Sequence, residues 1–95
     1  MAESPRYVIE VSRSVQRSLR SLRGDHQLLG RIDRAIRALE LESRPTGCKK
    51  LVGKQFDNLY RIRVGDWRIL YAIEDDRLVV LILDVVRRDQ AYRSR

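Results

Sequence analysis

Three arginines fall within eight residues of one another, Arg61, Arg63 and Arg68, in the stretch LYRIRVGDWRILYAI at positions 59–73. The stretch alternates as a β-hairpin does, and Gly65-Asp66 suits a two-residue turn with glycine at its first central position. That register pairs Val64 with Trp67, Arg63 with Arg68, Ile62 with Ile69 and Arg61 with Leu70. Side chains alternate along a strand, so Ile62, Val64, Trp67, Ile69 and Tyr71 share an apolar face. The three arginines then share the other face with Leu59, Leu70 and Ala72. Like charges directly opposite on a sheet are destabilising, and threonine or valine would suit the strand better. Two accounts remain open: Asp66, Asp84 or Asp89 neutralises the cluster, or a phosphate belongs between the guanidiniums. The carboxyl-terminal segment adds Arg87, Arg88 and Tyr92. In isolation Tyr92 reads as a residue packed on a helix. Beside the arginines its phenol would ionise more easily and could serve as a general base. Arginine and tyrosine together could support cleavage of a phosphodiester without a metal.

Other site chemistries find little support. The one histidine, His26, reads as a surface residue, and Cys48 as a small, partly buried one. There is no metal-ligand spacing, no Walker-type loop and no dinucleotide fingerprint.

The balance of charge agrees with an anionic ligand. The net charge is +7 and the pI about 10.3, and all but three of the 20 basic residues are arginine. Arginine presents a planar fork that matches phosphate and stays charged when partly buried. A polyanionic partner is expected, whether RNA, DNA or an acidic protein surface. The 95 residues, 43% of them hydrophobic, make one globular domain spanning 1–95. A single cysteine excludes an intramolecular disulfide and fits a reducing compartment. With neither a signal peptide nor a membrane span in evidence, a cytoplasmic location is expected.

These residues must be held by a small mixed fold. Residues 6–11, RYVIEV, read as a strand with Tyr7, Ile9 and Val11 on its buried face. Ser12 or Ser14 can cap a first helix with Val15, Leu19 and Leu22 inward, stopped by Gly24. A second helix starts near Asp25–Gln27, carries Leu28, Leu29, Ile32, Ala35, Ile36 and Leu39 as its stripe, and ends before Pro45. Its outer face takes Arg31, Asp33, Arg34, Arg37 and Glu40. The helical arginines read as a solvated face or as contacts to nucleic acid or a partner. Leu51 and Val52 suggest a brief strand broken by Gly53. After the hairpin, residues 74–77 turn, and LVVLILDVV at 78–86 reads as a central strand covered on both faces. The order β-α-α-β-β-β predicts an α+β domain: two amino-terminal helices on one face of a small, mostly antiparallel sheet, the other face open or lightly covered.

Three stretches together resemble the RelE toxins of the RelE/ParE superfamily of type II toxin–antitoxin systems. They are R-P-x-G-x-K-x-L at Arg44–Leu51, the hairpin YRIRVGDWRILYAI, and VVLILDVVRRDQAYR at the end. The resemblance covers nearly the whole chain. It implies a RelE-like fold and a ribosome-dependent mRNA endonuclease that acts on the codon in the ribosomal A site, without a cofactor. A RelB-like antitoxin would be its inhibitor. By match to the family's motifs, Arg61, Arg63, Arg68, Arg88 and Tyr92 are the implied catalytic residues. Lys49, Lys50, Lys54 and Arg87 are candidate RNA contacts. Many relatives carry histidine where this chain has Arg87, so a proton-transfer role there does not carry over. The ParE branch shares the fold but poisons DNA gyrase, and it generally lacks the full arginine-plus-tyrosine set. A catalytically degenerate, antitoxin-binding module is the third alternative.

Overall fold

A computed structural model describes residues 6–51 and 58–88. Lys54, Asp89 and Tyr92, together with Val52 of the expected brief strand and the Gly53 expected to break it, lie outside them. The elements are β1 (Val8–Val11), α1 (Arg13–Ser21), α2 (His26–Ala38), β2 (Lys49–Lys50), β3 (Leu59–Val64), β4 (Trp67–Glu74) and β5 (Val79–Arg87). One sheet holds all five strands in the order β1-β5-β4-β3-β2. Among the described residues only the β1–β5 pair is parallel; the other pairs are antiparallel. The α+β architecture is the one expected.

Each helix begins where a polar side chain replaces a missing backbone partner. The Ser12 hydroxyl accepts from the Val15 N–H, and the Asp25 carboxylate from that of Leu28. Helix α2 ends at Ala38 and the chain turns through Leu39 and Glu40, well before Pro45, so proline is not what stops it. Helix α1 packs on β5 and α2 against β3. Val15, Ile32 and Ile36 enter one cluster with Tyr60, Val64, Ile69, Tyr71, Ile73, Val80, Ile82 and Val85. Every strand residue of that cluster lies on one face of the sheet, by the alternation of the paired strands. The helices therefore cover a single face, and burial of these aliphatic and aromatic side chains supplies the main stabilising term.

Two expectations need correction. The short strand before the hairpin is Lys49–Lys50, paired with Arg61 and Tyr60, and so lies ahead of the expected start at Leu51. Leu51 still donates its N–H to the Leu59 carbonyl at 2.9 Å. Strand β5 is flanked on both edges, by β1 and β4, but is not equally covered on both faces. Val80, Ile82 and Val85 are buried under the helices, whereas Leu81, Asp84 and Val86 opposite are only half-buried. Its apolar run reflects an interior strand with a lightly covered second face.

A cluster of polar contacts fixes the loop between α2 and β2. Arg44 grips Asp75 through two guanidinium nitrogens, at 2.8 and 3.4 Å, and its Nε donates to the Tyr60 hydroxyl at 3.1 Å. Tyr7 donates to the same Asp75 carboxylate. Beneath them the Tyr71 hydroxyl donates to the Ser43 carbonyl at 2.8 Å. The loop is thereby pinned to the sheet just ahead of Lys49.

Candidate anion-binding site

The hairpin has the expected register: Arg63 opposite Arg68, Arg61 opposite Leu70, Val64 opposite Trp67. Gly65 has φ +60 and Asp66 no positive φ, as a type II′ turn requires. The register puts Arg61, Arg63 and Arg68 on the face away from the helices. Strand β2 adds Lys49, which pairs with Arg61 and so shares that face. The four cationic side chains line one cavity of about 250 Å³ with Gly47 and Ile62.

Their environments differ. Arg63 is exposed and its Nε donates to the Gly65 carbonyl at 3.3 Å. Arg61 is half-buried. Arg68 is only 7% exposed, and its one side-chain bond among the described residues is a long 3.4 Å contact to the Trp67 carbonyl. A guanidinium this buried ordinarily has a carboxylate partner. Among the described residues no ion pair joins Arg61, Arg63 or Arg68 to a carboxylate. Asp84 stands on the same face but its Oδ1 accepts from the Val85 N–H at 3.0 Å. Asp66 makes no such pair either, and Asp89 lies outside the described residues. Among the described residues the cavity thus presents several uncompensated positive charges on a strand platform, where an anion can bridge them.

The remaining candidates are distributed unevenly. The Arg88 N–H donates to the Asp66 carbonyl at 2.7 Å, which holds residue 88 at the hairpin end of the sheet. Arg87 pairs with Trp67, so alternation assigns it to the helix-covered face. Lys50 also belongs to that face, with its Nζ 5.7 Å from the Tyr60 ring centre. Of the two adjacent lysines, only Lys49 joins the arginines. Lys54 and Tyr92 are outside the described residues. His26 is exposed and Cys48 is a half-buried free thiol. Among the described residues no group of three His, Cys, Asp or Glu side chains could hold a metal ion. Nor is any described helix long and apolar enough to cross a membrane. The burial of Arg68 had no sequence signal, since alternation alone placed it on the lightly covered face.

A family model described as the ParE toxin of type II toxin–antitoxin systems, parDE, matches residues 9–92. No curated protein matches the chain in sequence. Among solved structures, the RelBE2 toxin–antitoxin complex of Mycobacterium tuberculosis aligns with TM-score 0.75 at 24% identity, covering 93% of this chain and 98% of that one. The archaeal RelE–RelB complex of Pyrococcus horikoshii aligns with TM-score 0.74 at 29% identity, covering 86% and 94%. A mutant of the Escherichia coli toxin RelE in the free state aligns with TM-score 0.73 at 17% identity, covering 92% and 88%.

Proposed function

The chain belongs to the RelE/ParE superfamily of type II toxins, and from that premise we propose that it is a ribosome-dependent mRNA endonuclease restrained by a cognate antitoxin. One observation carries the proposal: Lys49, Arg61, Arg63 and Arg68 line a single cavity with no carboxylate partner among the described residues. Such a cavity suits a dianionic, phosphorane-like transition state better than a ground-state phosphodiester. Donors preorganised for developing charge accelerate the step, whereas donors that bind both states equally do not.

In this mechanism Tyr92, or a neighbouring basic group, takes the proton from an RNA 2′-OH. The oxygen attacks the adjacent phosphorus and the bond to the 5′ oxygen breaks; water protonates that departing oxygen, leaving a 2′,3′-cyclic phosphate and a 5′-OH end. Arg61, Arg63 and Arg68 stabilise the added charge, with Lys49 as an RNA contact beside them. Arg88 donates a hydrogen bond to the departing 5′ oxygen but keeps its own protons, since a guanidinium is not deprotonated in proteins. DNA lacks the nucleophile. A site without a strong acid–base pair depends on positioning, and an enforced attack geometry contributes roughly 7–11 kcal/mol. The ribosome would supply that geometry by presenting the A-site codon. The antitoxin is expected to be acidic and amphipathic, so that one segment neutralises the cavity and buries apolar surface together. Complexes with antitoxins among the structural relatives support such a partner.

The test is induced expression followed by mapping of transcript 5′ ends. Cuts within codons that vanish in Arg68→Ala and Tyr92→Phe are the expected result. The ParE description of the matching family favours a second reading, action on DNA gyrase. Gyrase–DNA cleavage complexes with intact transcripts would establish it and overturn the endonuclease. Neither effect, together with tight antitoxin binding, would leave a binding module.

A further inference from the structure

Arg31 sits on the exposed side of α2, over the face opposite the arginine cavity. Its guanidinium nevertheless reaches the tip of the β3–β4 hairpin. A Cβ built on Gly65 would lie 3.2 Å from Arg31 Nη2, 3.5 Å from Nη1 and 3.7 Å from Cζ. The end of the fork therefore lies against one residue of the turn. Arg63 reaches the same residue from the other face, its Nε bonded to the Gly65 carbonyl. Residue 88 arrives from a third direction, tied by its N–H to the Asp66 carbonyl. Two guanidiniums, from α2 and β3, and the backbone of residue 88 thus meet at a two-residue turn.

Among the described residues no carboxylate accounts for this meeting. The turn carries one carboxylate, Asp66, which is exposed and makes no ion pair with Arg31 or Arg63 among the described residues. Two guanidiniums drawn to one residue repel each other unless an anion stands between or beside them. Glycine at 65 leaves the seat open, because any side chain there would crowd the Arg31 fork.

We infer that the hairpin tip is a second phosphate subsite, in which Arg31 and Arg63 hold a backbone phosphate of single-stranded RNA. The inference rests on RNA being the ligand of the open-face cavity. Arg63 lines that cavity and also touches the turn, so it joins the two subsites. A strand whose reacting phosphate lies among Arg61, Arg63 and Arg68 would pass its neighbouring phosphate over Gly65 to Arg31. Arg31 is then a positioning residue that fixes the register of the strand, while the chemistry stays on the open face.

The experiment uses the full-length protein and a fluorescent hexanucleotide of 2′-O-methyl RNA, which offers no nucleophile and stays intact. Affinity is measured from 50 to 300 mM salt for the wild type, Arg31→Ala, Arg31→Lys, Arg34→Ala and Arg61→Ala. Arg34 is an exposed arginine of the same helix whose nearest such contact is within α2, at Gly30. One lost phosphate contact on a single strand lowers the salt slope by about 0.7, or about eightfold in affinity at 50 mM. Arg31→Ala is expected to show both changes, Arg31→Lys to recover most of them, and Arg34→Ala to leave the slope in place. Equal effects of Arg31→Ala and Arg34→Ala, with Arg61→Ala clearly weaker than wild type, would overturn the tip subsite and leave RNA as the cavity's ligand. No binding by the wild type, or no effect of Arg61→Ala, would remove the RNA ligand and the subsite with it.

Discussion

Arg63 and Arg68 stand directly opposite each other across the β3–β4 hairpin, one exposed and the other only 7% exposed. Side chains so placed have Cβ atoms about 5 Å apart, and two unit charges at that distance repel by roughly 0.8 kcal/mol in water. The pairing is a standing cost that the fold carries for its site. Arg63→Thr should therefore raise stability by about 0.5–1 kcal/mol at low ionic strength, because threonine also suits the strand. The gain should fade in 1 M salt, where screening acts over about 3 Å. RNA cutting should drop in the same variant. Urea denaturation at two salt concentrations checks it, and a variant less stable than wild type at low salt would show that Arg63 serves the fold.

The hairpin was legible from sequence because its turn chemistry and its period of two agree on one register. A slip of one residue would have put the arginines under the helices, so burial enforced what the alternation indicated. The parallel β1–β5 pair was not legible, since the partner of a four-residue strand is chosen by the helices that connect and cover it. The Lys49–Lys50 strand escaped notice because consecutive lysines carry no alternation of polarity. Two long-range features were invisible because distant residues form them. Arg44 finds Asp75 and Arg31 finds Gly65 only once the sheet has assembled. Among the described residues the open-face arginines came from sequence; the burial of Arg68 and the reach of Arg31 required the fold.

Gly65 offers a sharper test of the turn. Its φ of +60 disfavours any L side chain, and a methyl would also meet the Arg31 fork at 3.2 Å. Gly65→Ala should cost about 1–2 kcal/mol from backbone strain. Gly24 has neither a positive φ nor any atom within 4 Å of its Cβ position. Gly24→Ala should be neutral or stabilising by up to about 1 kcal/mol, since alanine lowers the entropy of the unfolded chain. Thermal denaturation of the two variants side by side decides it. Equal destabilisation of both would contradict the type II′ geometry.

Stability should also fall at both extremes of pH. Burial first, and then the neighbouring Cys48, push the Tyr71 phenol far above its ordinary 10.0. The hydrogen bond to Asp75 raises Tyr7 in the same direction. A folded-state pKa above the unfolded one stabilises fully below pH 10 and loses that contribution as pH climbs toward the folded value. The reverse holds for Asp75, drawn below 3.8 by the Arg44 hydrogen bond and then by Tyr7. Its contribution is complete above 3.8 and lost as pH falls through the lower, folded value. A plateau from about pH 5 to pH 9 is expected. Asp75→Asn should flatten the acid limb, and Tyr71→Phe should remove most of the alkaline one while costing about 1–2 kcal/mol at neutral pH for the Ser43 carbonyl left unbonded. Melting temperatures across the pH range read both slopes; unchanged limbs would remove these residues as their cause.

Arg68 separates charge from shape at the proposed catalytic cavity. It is the most buried of the cationic groups there, and it lies on the central strand of the sheet. A group held this way needs little reorganisation when charge develops beside it. Arg68→Ala should slow cleavage of ribosome-bound message by about 10²–10³-fold, the usual loss for one preorganised donor. Arg68→Lys keeps the charge but forfeits the planar fork, so it should recover only a fraction of that loss. Arg61→Lys lies nearer solvent, where a flexible ammonium can still reach the phosphate, and should lose less than Arg68→Lys. Single-turnover cleavage rates give the comparison, with urea midpoints excluding misfolding. Full activity in Arg68→Lys would mean that the site needs only net positive charge, and the need for a guanidinium fork at position 68 would fall.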